Sequence, residues 1–136
     1  MKLCKAERIH SKKVIDILFS GEQRSFFVFP LRVIYGRVDA LIDEPYAILI
    51  NAPKKHFKNA VDRNSIKRQL RESYRKHKHI LLNQVAESND KGAHYAIALL
   101  YQVPQMMSSE HVDKVMVKVL NKIASSLRDA DESVSR

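Results

Sequence analysis

The chain has 136 residues, a net charge of +9 at neutral pH, 45% hydrophobic residues and one cysteine, Cys4. That length suits a single domain with a modest core, and no apolar run approaches the ~18 residues needed to cross a membrane. A lone thiol excludes an intramolecular disulfide and fits a reducing cytosol, and the opening MKLCKAERIHSKK holds no apolar leader segment, so a cytoplasmic location is expected.

Ser11 is placed to cap a helix through KKVIDILF that stops near Gly21. FFVFPLRVIY is rich in aromatic and β-branched residues and reads as a strand interrupted at Pro30, which marks an edge or a bend. EPYAILINAP (44–53) reads as a second strand, apolar enough to be buried. A basic segment follows, helical from about Ala60 to Leu82. SNDKG (88–92) is a turn and HYAIALLY (94–101) a third strand. Val112, Val115, Met116, Val119, Leu120, Ile123 and Leu127 recur at helical spacing, with Ser108 or Ser109 as the cap. The polar residues 129–136 are expected to form a flexible tail, leaving 1–128 as the domain. The order α-β-β-α-β-α, with room for one more strand within 24–52, predicts an α+β sandwich. Its helices cover one face of a small sheet, and the uncovered remainder forms a shallow cleft.

The charge is not spread evenly. Residues 54–79 hold ten basic side chains against two acids, Asp62 and Glu72, a net +8; the remaining 110 residues carry 14 basic and 13 acidic side chains, a net +1. One-sided basicity is the electrostatic footprint of a polyanion partner. At 100° per residue, Lys67, Lys78, Arg71, Asn64, Arg75 and Arg68 fall in an arc about 100° wide with Arg63 at its border. Ile66, Leu70, Tyr74, His77 and Leu81 form an apolar face beside it. Arg63, Lys67, Arg71 and Arg75 repeat at four-residue spacing, and each such like-charge pair costs a few tenths of a kcal/mol. On this helix Glu72 offers relief through Arg68 and Lys76. A merely solvated face would mix signs; phosphates remove the repulsion and release counterions. A near-uniform cationic arc suits phosphate clamping of a shaped surface and favours RNA over a base-reading DNA helix.

No residue pattern argues for protein-borne chemistry. His77 and His79 are two apart and lie on different helix faces, His77 on the packed side. His56 and His79 extend the basic patch. No zinc-type spacing of His and Cys exists, and Asp62 and Glu72 stand singly, whereas a two-metal nuclease needs converging carboxylates. Metal ligands on this chain are therefore not expected.

Lys54-Lys55, Lys58, Ala60-Val61, Arg63-Asn64, Lys67-Arg68, Arg71-Glu72 and Tyr74-Arg75 resemble the signature of the bacterial ribonuclease P protein subunit family. That family carries an Arg-Asn-Arg motif, then Lys-Arg, Arg-Glu and aromatic-Arg pairs, on a helix that follows a strand. The match is tight over 54–75, and the element order agrees from Ser11 to Leu127. The resemblance implies a small sandwich on an about four-stranded mixed sheet with a left-handed β-α-β crossover. It implies a ribozyme holoenzyme whose catalytic RNA, with bound magnesium, removes the 5′ leader of precursor tRNA. No obligate protein partner is implied. By position, the RNA-facing group is Lys54, Lys55, Lys58, Arg63, Asn64, Lys67, Arg68, Arg71 and Arg75. The leader-binding cleft, between the first helix and the sheet, takes Ile15, Phe19, Tyr35 and Asn51. The family's two aromatics one turn apart correspond to Ile15 and Phe19, so only the second can stack on a base; both positions suit a core role equally. The third motif residue is Ser65 here, which falls outside the basic arc. The rival readings are a non-catalytic RNA-binding protein such as a ribosomal protein, a free-standing nuclease and a sequence-specific DNA binder.

Overall fold

The computed structural model describes residues 12–21, 23–38, 46–55, 57–87 and 94–134. In chain order the elements are α1 (Lys12–Leu18), β1 (Arg24–Val28), β2 (Leu31–Arg37), β3 (Tyr46–Asn51), α2 (Ala60–His77), α3 (His79–Glu87), β4 (Tyr95–Tyr101) and α4 (Ser109–Val134). The Ser11 cap, the turn at 88–92, Cys4 and His56 lie outside the described residues. The aromatic stretch interrupted at Pro30 is two strands, which supplies the extra one. The chain turns at Phe29 and Pro30, joined by a cis peptide, and Gln102 N donates to the Pro30 carbonyl at 3.0 Å.

The strands lie in the order β1-β2-β4-β3. β1/β2 and β2/β4 are antiparallel, and β3 runs parallel to β4. The sheet is therefore mixed, and its parallel pair is joined through α2 and α3. Parallel neighbours need such a crossover, because a tight turn cannot return the chain to the same end of the sheet.

Side chains alternate across a strand, which divides the sheet into two unequal faces. On one, Leu31, Val33 and Tyr35 of β2 and Ile97, Leu99 and Tyr101 of β4 join Tyr46 and Ile48 of β3 in the main core. Ile66, Leu70 and Tyr74 of α2, Leu81 of α3 and a long stripe of α4 from Val112 to Ala124 close over them. On the other face, among the described residues, Ile34, Ala47, Ala96, Ala98 and Leu100 meet Val14 and Leu18 of α1 and Val38, with Ile15, Ile17 and Leu49 partly buried against them. The small alanines let a two-turn helix lie close to the sheet. Gly21 follows at φ +89°, a left-handed conformation that favours glycine, and turns the chain toward β1.

Two boundaries differ from expectation, and the choice between two caps is decided. The basic helix stops at His77 rather than near Leu82. Lys78 keeps right-handed dihedrals, its carbonyl accepts from Leu81 N at 3.0 Å and Leu82 N at 3.1 Å, and α3 begins one residue later. That break lets the chain redirect Leu81 into the main core, where α3 packs on α4. Ser108, not Ser109, caps α4: its Oγ accepts from His111 N at 3.2 Å. Finally, α4 runs on to Val134, into the segment expected to be a flexible tail, because no glycine or proline follows Pro104 to stop it.

Candidate nucleic-acid interface

The cationic surface is built by the residues that lead into α2 and by α2 itself. Asn59 adopts extended dihedrals, and its side chain accepts from Val61 N at 2.9 Å, capping the helix. Asp62 in the first turn and Arg75, Lys76 and His77 in the last complement the helix dipole. Before the cap, Phe57 is buried with its ring edge-on to Tyr101 at 5.7 Å. It acts as a plug that fixes the loop, and Lys54, Lys55 and Lys58 around it stay exposed.

Arg63 has a role that spacing alone does not reveal. One of its guanidinium nitrogens donates to the Phe57 carbonyl at 2.7 Å and the Lys58 carbonyl at 3.0 Å. The side chain latches the lysine loop to the first turn of the helix, and so holds two groups of cations at a fixed separation. A guanidinium has five N–H donors, so this latch leaves others for a phosphate.

One flank of α2 is stitched to α4. Gln69 Nε2 donates to the Met107 carbonyl at 2.9 Å, and buried Ser73 donates from Oγ to Asp113 at 2.7 Å. Lys76 Nζ lies 3.8 Å from the same carboxylate. His77 Nε2, buried and without a hydrogen bond, lies 3.7 Å from it. These contacts fix the rotation of the helix about its axis. The opposite flank therefore faces outward, with Asn64 exposed and Lys67, Arg71 and Arg75 partly exposed, while exposed Arg68 stands at its border with the α4 side. The pocket of about 520 Å³ between α2 and α4 is bordered by Arg68, Lys76, Glu72 and Asp113. Its charges are balanced, unlike those of the outer arc.

Glu72 relieves the cationic arc chiefly through Arg75, with the charge of Lys76 contributing as the spacing suggested. Arg75 Nε donates to it at 3.3 Å, and a second guanidinium nitrogen makes a close ion pair with the same carboxylate. The hydrogen bond from Arg75 holds the Glu72 carboxyl below the usual carboxylate range, and Arg75 is raised in turn. Both groups are solvent-exposed, so water screens the pair heavily. The local acid touches one end of the arc.

Of the four residues expected in the cleft, Ile15 and Asn51 lie on the thin side of the sheet, Phe19 stands one turn beyond Ile15, and Tyr35 lies elsewhere. Phe19 is half exposed at the end of α1, and Phe19 N donates to the Ile15 carbonyl at 3.1 Å, which places the two one turn apart. Ile15 leans on the smaller core, and Asn51 is exposed at the end of β3 beside Leu100 of that same face. Tyr35 corrects the expectation. It is buried on the opposite face, packed edge-on against Phe26, with its hydroxyl donating to Ser126 of α4 at 2.8 Å. Strand alternation sends Leu31, Val33 and Tyr35 toward α4 together, so Ile34 and Gly36, not Tyr35, lie on the α1 side. Among the described residues, no three His, Cys, Asp or Glu side chains come together as metal ligands.

The chain matches the Ribonuclease P family over residues 3–124. A relative from Porphyromonas gingivalis, a ribonuclease P protein component, is 36% identical over 126 residues, covering 92% of this chain and 88% of the relative. Another from Chlorobaculum tepidum is 34% identical over 103 residues, covering 74% and 67%. Among solved structures, the RNase P protein of Thermotoga maritima superposes with a TM-score of 0.64 at 16% identity, over 85% of this chain and 96% of that one. The Staphylococcus aureus RNase P protein gives 0.62 at 22% identity, over 88% and 96%. At such low identity these two speak for the fold.

Proposed function

The chain belongs to the ribonuclease P protein family, a component of the tRNA-processing endoribonuclease, and from that premise we propose how it serves. The outer arc of α2 and the latched lysine loop bind the ribonuclease P RNA, while the thin face of the sheet holds the single-stranded 5′ leader of precursor tRNA. The observation that carries this reading is the asymmetry of α2. One flank is tied to α4 by Gln69 and Ser73, and the other presents Lys67, Arg71 and Arg75 outward, with Arg68 at its border and one acid among them.

The action is electrostatic positioning. Cations on a fixed scaffold neutralise phosphates of the RNA and of the leader where the two approach, which strengthens substrate binding without any proton transfer by the protein. Arg63 keeps the loop cations in register with those of the helix. Phe19 offers a ring for stacking, and Asn51 can hydrogen-bond a base edge or a 2′-hydroxyl. In this scheme magnesium is held mainly by the RNA, and bond cleavage is left to the RNA.

Processing of a precursor tRNA by the catalytic RNA of the same source, with and without this chain, tests the proposal. At low magnesium the chain is expected to raise cleavage, and RNA binding is expected to follow a log–log salt slope of roughly −5 to −8. Lys67→Ala with Arg68→Ala is expected to flatten that slope by about two. Absence of any gain over RNA alone would sink the reading; chelator-sensitive cleavage by the protein alone would replace it with a nuclease.

A further inference from the structure

The thin face of the sheet carries aromatic and cationic groups that the proposed function does not use. The strand register lines up one residue from each strand in a transverse row: Asn51 beside Leu100, Leu100 beside Arg32, and Arg32 opposite Phe27. Leu100 belongs to the core under α1; Asn51, Arg32 and Phe27 are exposed. Neighbouring strands lie about 4.8 Å apart, so the row spans roughly 14 Å. Two residues beyond Phe27, at the tip of the hairpin, Phe29 sets its ring 6.5 Å from that of Phe27 at an interplanar angle of 73°. The two rings are 54% and 48% exposed.

This arrangement is costly if nothing covers it. β1 is an edge strand, where exposed apolar side chains invite unwanted pairing and charges normally protect. Two half-exposed phenylalanines at such an edge, with an arginine registered against the first, point to a ligand with flat apolar faces and negative charge. Single-stranded RNA has both. At its other end the row runs through Ala52 and Pro53 into exposed Lys54 and Lys55. In spatial order the surface therefore offers ammonium groups, a carboxamide, a guanidinium and two rings. Cations tracking a backbone beside aromatic side chains that take successive bases are the general means of holding a single strand.

We infer that Arg32, Phe27 and Phe29 form a stacking platform for single-stranded RNA, which carries the leader past Asn51 and out over the β1–β2 hairpin. The inference rests on the reading that this face holds the leader, and adds where the distal nucleotides go. Stacking is tolerant of sequence because every base has a π-face, so the platform contributes length dependence rather than base preference.

The test uses the holoenzyme, reconstituted from this chain and its catalytic RNA. Two precursor tRNAs are compared, one with a leader too short to pass Asn51 and one several nucleotides longer, with 4-thiouridine placed at a proximal or a distal leader position. Phe27→Leu and Arg32→Ala are each expected to lower the ratio of long- to short-leader affinity about fivefold, the low end for one stacked base. Distal 4-thiouridine is expected to crosslink to the β1–β2 hairpin. The two variants remove different chemistry from exposed sites, and matching thermal midpoints with wild type check that each still folds. Proximal crosslinks to α1 or Asn51, with the affinity ratio intact in both variants, would overturn the platform and leave the leader reading standing. No leader crosslink to this chain anywhere would overturn both. A wild-type dimer dissolved by Phe27→Leu would assign the rings to a second copy of the chain and overturn the platform.

Discussion

The two faces of the sheet are made by the same strands and serve opposite ends. The face toward α4 buries tyrosines 35, 46 and 101 with Ile97 and Leu99 under three helices. The face toward α1 is paved with Ala47, Ala96 and Ala98, and among the described residues the helix that packs on it has seven residues. Large side chains interdigitate with a thick layer and fix its position. Small ones admit a thin cover. Stability is thus concentrated on one side, and the proposed recognition uses the other together with the outer flank of α2.

That division can be broken by substitution, beginning with the largest effect. Leu70→Ala, at a fully buried position of α2, is expected to cost about 3 kcal/mol of stability by leaving a cavity in the thick layer; chemical denaturation measures it. Ala98→Leu is expected to cost about 2 kcal/mol by overpacking the thin side. Because it displaces α1, which carries Ile15 and Phe19, it should also erode the discrimination between long and short leaders, a readout that Leu70→Ala should leave alone wherever the protein remains folded.

Phe19→Ala sharpens the contrast further. The ring is half exposed, so the thermal midpoint should barely move, while affinity for a leader-bearing substrate falls by about 1.5 kcal/mol, the value of one base–aromatic stack. Tyr35→Phe should do the reverse. Losing the hydroxyl bond to Ser126 is expected to cost about 1 kcal/mol of stability, with leader affinity intact. A leader defect in Tyr35→Phe without loss of stability would contradict its place on the α4 face.

Much of this was legible in the residues themselves. The apolar period of α4, the basic arc of α2 and the short strands each follow from local pattern, and the resemblance over 54–75 pointed to the family that the comparisons then showed. Tyr35 was misplaced because a one-residue register shift flips a strand residue to the other face, and nothing local to β2 announces which face α4 will cover. The latch from Arg63 was missed for a related reason. Its acceptors are backbone carbonyls of Phe57 and Lys58, and main-chain acceptors are the same at every residue. The break at Lys78 has no glycine or proline to announce it. It follows from where Leu81 must go.

The sequence by itself determined where the cations are and that they share one side of a helix, because charge and periodicity are properties of the chain. Only the tertiary structure decided which way that helix is turned, which face of the sheet α4 covers, and that Asn51, Arg32 and Phe27 stand in one line. Those depend on contacts between segments far apart in sequence: Ser73 with Asp113, Tyr35 with Ser126, β3 beside β4. Such contacts form only when the strands have chosen their register.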